Sequence, residues 1–91
     1  RMSALVHTIT VTDPIGLHAR PVGQIVTLVR EHGATVTLRS ASGAEGLATS
    51  ALKMLALKVK TGETLDIVVE SAGSSDPDTL AHDIERLINQ G

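Results

Sequence analysis

The sequence predicts an α+β open-faced sandwich, a four-stranded antiparallel sheet covered on one face by three helices in the order β-α-β-β-α-β-α. Segments of period two alternate with segments of helical period along the chain. One tight hairpin turn, Ser40-Ala41-Ser42-Gly43, joins neighbouring strands. The 91 residues suffice for one small domain, assigned to residues 2–91, whose strands and helices must bury their apolar faces on each other. Arg1 precedes Met2 and is read as an addition to the natural chain.

The first strand spans Ala4 to Thr12, with Leu5, His7, Ile9 and Val11 on one face and Val6, Thr8 and Thr10 on the other. Asp13-Pro14 breaks it. A helix then starts near His18, tolerates Pro21 in its first turn, carries Val22, Ile25, Val26 and Val29 at helical spacing, and stops at Gly33 after His32. The second strand runs from Ala34 to Arg39 with Val36 and Leu38 inward. A weak third strand lies near Ala44 to Ala48, where Gly46, Leu47 and Ala48 give no clear inward side.

Thr49 or Ser50 caps a short helix reaching about Leu57. This helix is apolar almost all round. Either Met54 and Leu57 face inward and Leu52 and Leu55 outward, or the reverse, and the outward pair forms an apolar patch suited to a partner. Thr61-Gly62-Glu63 turns into a fourth strand, Thr64 to Glu70, with Leu65, Ile67 and Val69 on one face and Asp66 and Val68 on the other. Ser75 or Asp76 caps the last helix, Pro77 takes its first position, and Leu80, Ala81, Ile84, Leu87 and Ile88 form its apolar stripe.

Composition narrows the function. Without Trp, Tyr or Phe the core is aliphatic, and the aromatic platform of an RNA-recognition sheet is missing. A net charge of −2 with scattered Lys and Arg gives no nucleic-acid footprint. There is no cysteine, hence no thiol or disulfide chemistry. No apolar run reaches membrane-spanning length and no signal-peptide pattern opens the chain, so a cytoplasmic protein without membrane insertion is expected. His7, His32 and His82 follow no zinc-ligand spacing and are read as structural or exposed. Asp76, Asp78, Asp83 and Glu85 read as helix-terminus charge and a solvated face rather than a metal or acid–base site. No metal or cofactor is predicted.

The chemistry gathers at Gly16-Leu17-His18-Ala19-Arg20-Pro21. Neutral imidazole is a good nucleophile near pH 7. The free amides and positive dipole end of a helix, with one arginine, suit a phosphoryl group bound to a histidine nitrogen. Phosphoryl transfer needs positioning and electrostatics rather than a general-base triad, and no such triad is visible.

These six residues match the Gly-Leu-His-x-Arg-Pro signature of the histidine-containing phosphocarrier (HPr) family of the phosphoenolpyruvate-dependent sugar phosphotransferase system. The chain resembles that family from about Leu5 to Ile88, element order included. The resemblance implies a carrier rather than an enzyme in the ordinary sense. By that resemblance, enzyme I would phosphorylate His18 on Nδ1, Arg20 would attend the phosphohistidine, and the group would pass to a histidine of an enzyme IIA domain. Both partners use one surface, which here maps to Ala19, Leu52, Lys53, Leu55 and Ala56. A monomer is expected, because a surface used for transfer between partners must stay free. The resemblance places Leu52 and Leu55 outward and Met54 and Leu57 in the core. Ser50 aligns with a serine that HPr kinase/phosphorylase modifies in many Firmicutes, although Ala51-Leu52-Lys53-Met54-Leu55 departs from the Firmicute pattern. The Ser40–Gly43 turn is about one residue longer than usual in the family, and Thr27 stands where many members carry lysine. These departures suit a specialised branch, such as a nitrogen-related or dihydroxyacetone-related phosphotransferase chain, or one domain of a fused protein. A regulatory paralogue acting by protein binding is a separate alternative, although such paralogues usually lose the active histidine and His18 is present. A small-molecule-sensing domain is the remaining alternative, and it leaves His18 without a role.

Overall fold

The structure, a computed structural model, describes residues 4–90, and the reading of Arg1 falls outside them. The elements are β1 (Leu5–Thr10), α1 (Ala19–His32), β2 (Thr35–Ser40), β3 (Glu45–Leu47), α2 (Ala51–Leu55), β4 (Thr64–Ser71) and α3 (Pro77–Gln90). This is the predicted order. The sheet runs β1-β4-β2-β3 and every neighbouring pair is antiparallel. Strand β4 is therefore central, so β1 and β2 run parallel to each other on either side of it.

Side-chain alternation sorts the sheet into two faces. His7, Ile67, Leu38 and Gly46 form one inward row across all four strands. Leu65, Ile67 and Leu38 are almost completely buried there beneath Ile25 and Val29 of α1, Met54 of α2, and Leu80, Ile84 and Ile88 of α3. Aliphatic side chains alone fill this core, as the composition requires. Each fully buried leucine or isoleucine contributes about 1.5–3 kcal/mol.

Helix boundaries follow local chemistry. Gly33 ends α1 in the left-handed region at φ 63°. At α3 the Asp76 carboxylate accepts from the Thr79 amide at 3.1 Å, with Pro77 in the first helical position. The Ser50 hydroxyl accepts from the Lys53 amide at 3.2 Å and caps α2.

The sequence reading needs correction at α2. The helix stops at Leu55, and a turn through Leu57 and Lys58 follows. Met54 is buried and Leu52 is 79% exposed, but Leu55 and Leu57 are each half-buried against the core. A five-residue helix cannot carry a clean two-sided pattern. The remaining differences are strand ends: β1 is shorter than Ala4–Thr12, β2 starts at Thr35, and β4 reaches Ser71.

On the uncovered face Thr8, Asp66, Arg39 and Glu45 form one polar row across the four strands. Asp66 accepts from Thr8 Oγ1 at 2.6 Å and from Arg39 Nη2 at 3.1 Å. The Thr8 hydroxyl first, and then Arg39, hold the Asp66 carboxyl below its ordinary value of 3.8 against the opposing effect of burial. A carboxylate depressed in the folded state stabilises the protein above its unfolded pKa, and that gain is lost as pH falls through the folded one. The stability gap between wild type and Asp66→Asn should therefore be full at pH 7 and close between about pH 5 and pH 2. Urea unfolding of both proteins across this range measures it; a constant gap would contradict the assignment.

Candidate functional site

Strand β1 delivers the chain to a loop pinned from two directions. Beyond its end, the Val11 amide donates to Glu63 O at 2.9 Å and the Gly62 amide to Val11 O at 2.7 Å. The last turn of α3 supplies Asn89, whose Oδ1 accepts from the Thr12 amide at 2.8 Å and whose Nδ2 donates to Thr10 O at 3.1 Å. The Leu17 amide then donates to Val59 O at 3.0 Å, and Leu17 is buried.

Gly16 makes this approach possible. Its φ is +83°, and a Cβ there would lie 2.7 Å from Val59 O. Left-handed backbone costs a side chain roughly 1–2 kcal/mol before any collision. Gly16→Ala should therefore lower stability by about 2 kcal/mol or more, lowering the thermal midpoint by about 8 °C or more for a domain of this size. A midpoint unchanged in thermal unfolding would show that the loop does not depend on this approach.

His18 is the N-cap of α1, with extended backbone at φ −130° and no side-chain capping bond. Its carbonyl accepts the first helical bond, from the Val22 amide at 3.2 Å. Among the described residues the Ala19 and Arg20 amides at the helix start have no acceptor, and Pro21 has no N–H to satisfy. No acidic residue lies in the first turn of α1, so the positive end of the helix stays uncompensated.

The imidazole is partly enclosed. Among the described residues, His18 Nε2 alone is both buried and without a hydrogen-bond partner. The nearest acidic atom is Asp13 Oδ2 at 3.8 Å, too far for a hydrogen bond. Asp13 is buried at 6% exposure, and its other oxygen accepts from the Ile15 amide at 2.8 Å. Nδ1 makes no hydrogen bond among the described residues and is not enclosed in this way, so it is the more accessible of the two ring nitrogens. A buried unpartnered nitrogen costs about 1–3 kcal/mol, a cost that a chemical role at this position would explain.

Arg20 is exposed and makes no ion pair among the described residues. It lines a cleft of about 240 Å³ with Gln24 and with Leu87 and Gln90 of α3. The site thus presents one open nucleophilic nitrogen, two unpaired amides and one free guanidinium. That set can accept a dianionic group and stabilise it without enclosing it.

The other sequence-predicted residues lie nearby in part. Ala19, on the first turn, is exposed; on α2 Lys53 and Ala56 are exposed beside Leu52, with Leu55 only partly so. Arg30 Nη2 on α1 donates to Thr49 O at 3.0 Å and ties α1 to the start of α2. Ser50 is half-buried and committed to its cap. Two residues escaped the sequence reading. Asp13 was read only as a strand breaker; its place before a turn foreshadows the bond to the Ile15 amide but not its approach to His18. Asn89 carries no sequence signal of its contact with Thr12.

No helix among the described residues is long and apolar enough to cross a membrane. A family profile described as "PTS HPr component phosphorylation site" matches residues 5–90. Phosphocarrier protein NPr of Escherichia coli (strain K12) is 33% identical over 84 residues, spanning 92% of this chain and 90% of that protein. Phosphocarrier protein HPr of Mycoplasma pneumoniae is 29% identical over 72 residues, spanning 79% of this chain and 80% of that protein. The crystal structure of a phosphocarrier protein HPr from Bacillus anthracis superposes with a TM-score of 0.79 at 21% identity, covering 94% of this chain and 98% of that one, which shows the shared fold. The profile match across nearly the whole chain, with the NPr likeness, establishes that this chain belongs to the HPr family of phosphotransferase-system phosphocarriers.

Proposed function

We propose that this domain carries a phosphoryl group on Nδ1 of His18, taken from phosphorylated enzyme I and passed to a histidine of an enzyme IIA domain in the cytoplasm. The observation that carries this reading is the asymmetry of the imidazole: Nε2 is enclosed beside Asp13 while Nδ1 is open at the start of α1. With its proton on Nε2, the ring offers the Nδ1 lone pair to phosphorus. The N–P bond to His18 forms as the donor's N–P bond breaks, and the donor nitrogen keeps the electron pair. Positive charge grows on the ring as this happens. The Asp13 carboxylate at 3.8 Å opposes that charge and favours the Nε2–H form. Arg20 and the unpaired amides meet the phosphoryl oxygens. The covalent phosphohistidine is the transported species, so the chain acts as a carrier and not as a turnover enzyme.

Leu52, Lys53 and Ala56, with Ala19 on α1 and the exposed part of Leu55, form the surface on which both partners dock in turn. A phosphoryl group on Ser50, placed by HPr kinase/phosphorylase, would put negative charge into that surface. The relatives named NPr at 33% identity favour a second reading for the partners, a specialised phosphotransferase branch distinct from sugar uptake. Intact-mass spectrometry after incubation with phosphoenolpyruvate tests both readings when enzyme I of each branch is supplied in turn. One acid-labile phosphoryl group gained with either enzyme supports the carrier role, and the faster donor identifies the branch. No gain with either enzyme would overturn it.

A further inference from the structure

Along the chain the histidines follow no metal-ligand spacing, but the fold brings two of them together. His7 on β1 meets His82 on α3 with ring centroids 4.6 Å apart. Glu85, one helical turn beyond His82, places Oε1 2.7 Å from His7 Nε2. One donor atom from each of these three residues lies within 4.8 Å of the other two. Glu85, read from sequence as part of a solvated face, is thus half-buried and engaged.

The His82 ring is already oriented as a ligand. Its Nδ1 lies 2.8 Å from the Asp78 carbonyl oxygen. A carbonyl only accepts, so Nδ1 carries the proton and Nε2 holds a lone pair. A carbonyl bound to the second ring nitrogen is the usual outer support of a metal-bound histidine. The fold holds His7 and the α3 pair in place from opposite ends of the chain, 78 residues apart for His7 and Glu85.

We propose that His7, His82 and Glu85 form a binding site for a divalent transition-metal cation, with zinc as the best match. Two imidazoles and one carboxylate are a ligand set of open zinc sites, with water completing the tetrahedron. Zinc–ligand bonds of about 2.0–2.1 Å set ligand atoms about 3.3 Å apart in a tetrahedron. His7 Nε2 and Glu85 Oε1 need to part by about 0.6 Å from their present 2.7 Å, and the remaining pairs close from at most 4.8 Å. Side-chain rotation supplies both movements, because the three residues are partly or fully exposed. Glu85 only accepts, so His7 Nε2 carries a proton in the free protein. On binding, zinc displaces that proton to solvent; a neutral ring regains one on Nδ1, a doubly protonated ring already holds one there, and in both cases the bound ring is neutral and gives Nε2 to the metal. The site clamps β1 to α3, the helix whose Asn89 holds the loop before His18.

Isothermal titration with zinc chloride, paired with thermal unfolding, tests the site on wild type, His82→Ala, Glu85→Gln, His18→Ala and His32→Ala. His82 is exposed, so its removal leaves the core intact; Glu85→Gln keeps a hydrogen-bonding partner for His7. The expected result is one zinc per chain with a Kd on the order of 10 µM or tighter. Affinity falls at least ~10-fold in His82→Ala and in Glu85→Gln. It is unchanged in His18→Ala and His32→Ala. Absence of binding up to roughly 100 µM zinc would leave only a His7–Glu85 hydrogen bond and overturn the site. So would binding that survives His82→Ala and Glu85→Gln, or binding that vanishes with His18 or His32.

Discussion

His18→Ala should accept no phosphoryl group from phosphorylated enzyme I, while folding at least as stably as the wild type. The two halves of this result have one origin. His18 caps α1 through its backbone alone, so alanine preserves the first helical bond to the Val22 amide. Removing the ring also removes a buried nitrogen with no partner, whose cost is about 1–3 kcal/mol. A residue retained for its chemistry at the expense of stability gives this signature when it is replaced. Intact-mass spectrometry and urea unfolding of the same preparation read both halves. Full phosphorylation of His18→Ala would place the acceptor elsewhere. Loss of acceptance with a collapse in stability would make the ring a structural element.

Arg20→Ala should slow phosphoryl acceptance by about 10²-fold without disturbing the fold. Removal of one preorganised donor to developing charge typically costs 10²–10³ in rate, a range of about 2.7–4 kcal/mol. Arg20 is exposed and unpaired among the described residues, so its loss leaves no buried charge behind. Arg20→Lys should recover only part of the rate, because an ammonium keeps the charge but loses the planar fork. Rapid-quench transfer from phosphorylated enzyme I separates the terms: the maximal rate falls if Arg20 acts on the transferring group, and only the half-saturating concentration rises if it acts in docking. A change of less than about threefold in Arg20→Ala would remove it from the site.

Most of the fold was legible because its elements announce themselves locally. Val22, Ile25 and Val29 mark the buried face of α1, Gly33 marks its end, and Pro77 opens α3. Strand β3 was ambiguous for a physical reason. Its inward residue is Gly46, where a Cβ would lie 2.7 Å from Lys53 O, because the backbone of α2 packs directly on the strand. An inward position that must be empty breaks the period-two pattern. The same close packing leaves Leu55 and Leu57 on the boundary between core and solvent, which no two-sided reading of five residues captures.

The centre of the site was legible for similar reasons. Gly16, His18, Arg20 and Pro21 are local in sequence, and each has a backbone or chemical role within the same turn. Its supports were not. Asp13 reaches His18 only after the loop folds back, and Asn89 reaches Thr12 from the far end of the chain. The meeting of His7 with His82 and Glu85 is likewise a consequence of β1 lying beside α3.

The most direct test of the central claim is heteronuclear NMR of the phosphorylated protein with ¹⁵N-labelled histidine. The arrangement of His18 predicts phosphorus coupled to Nδ1 of that residue, with the remaining ring proton on Nε2. Phosphorus found on Nε2, or on any other side chain, would contradict it.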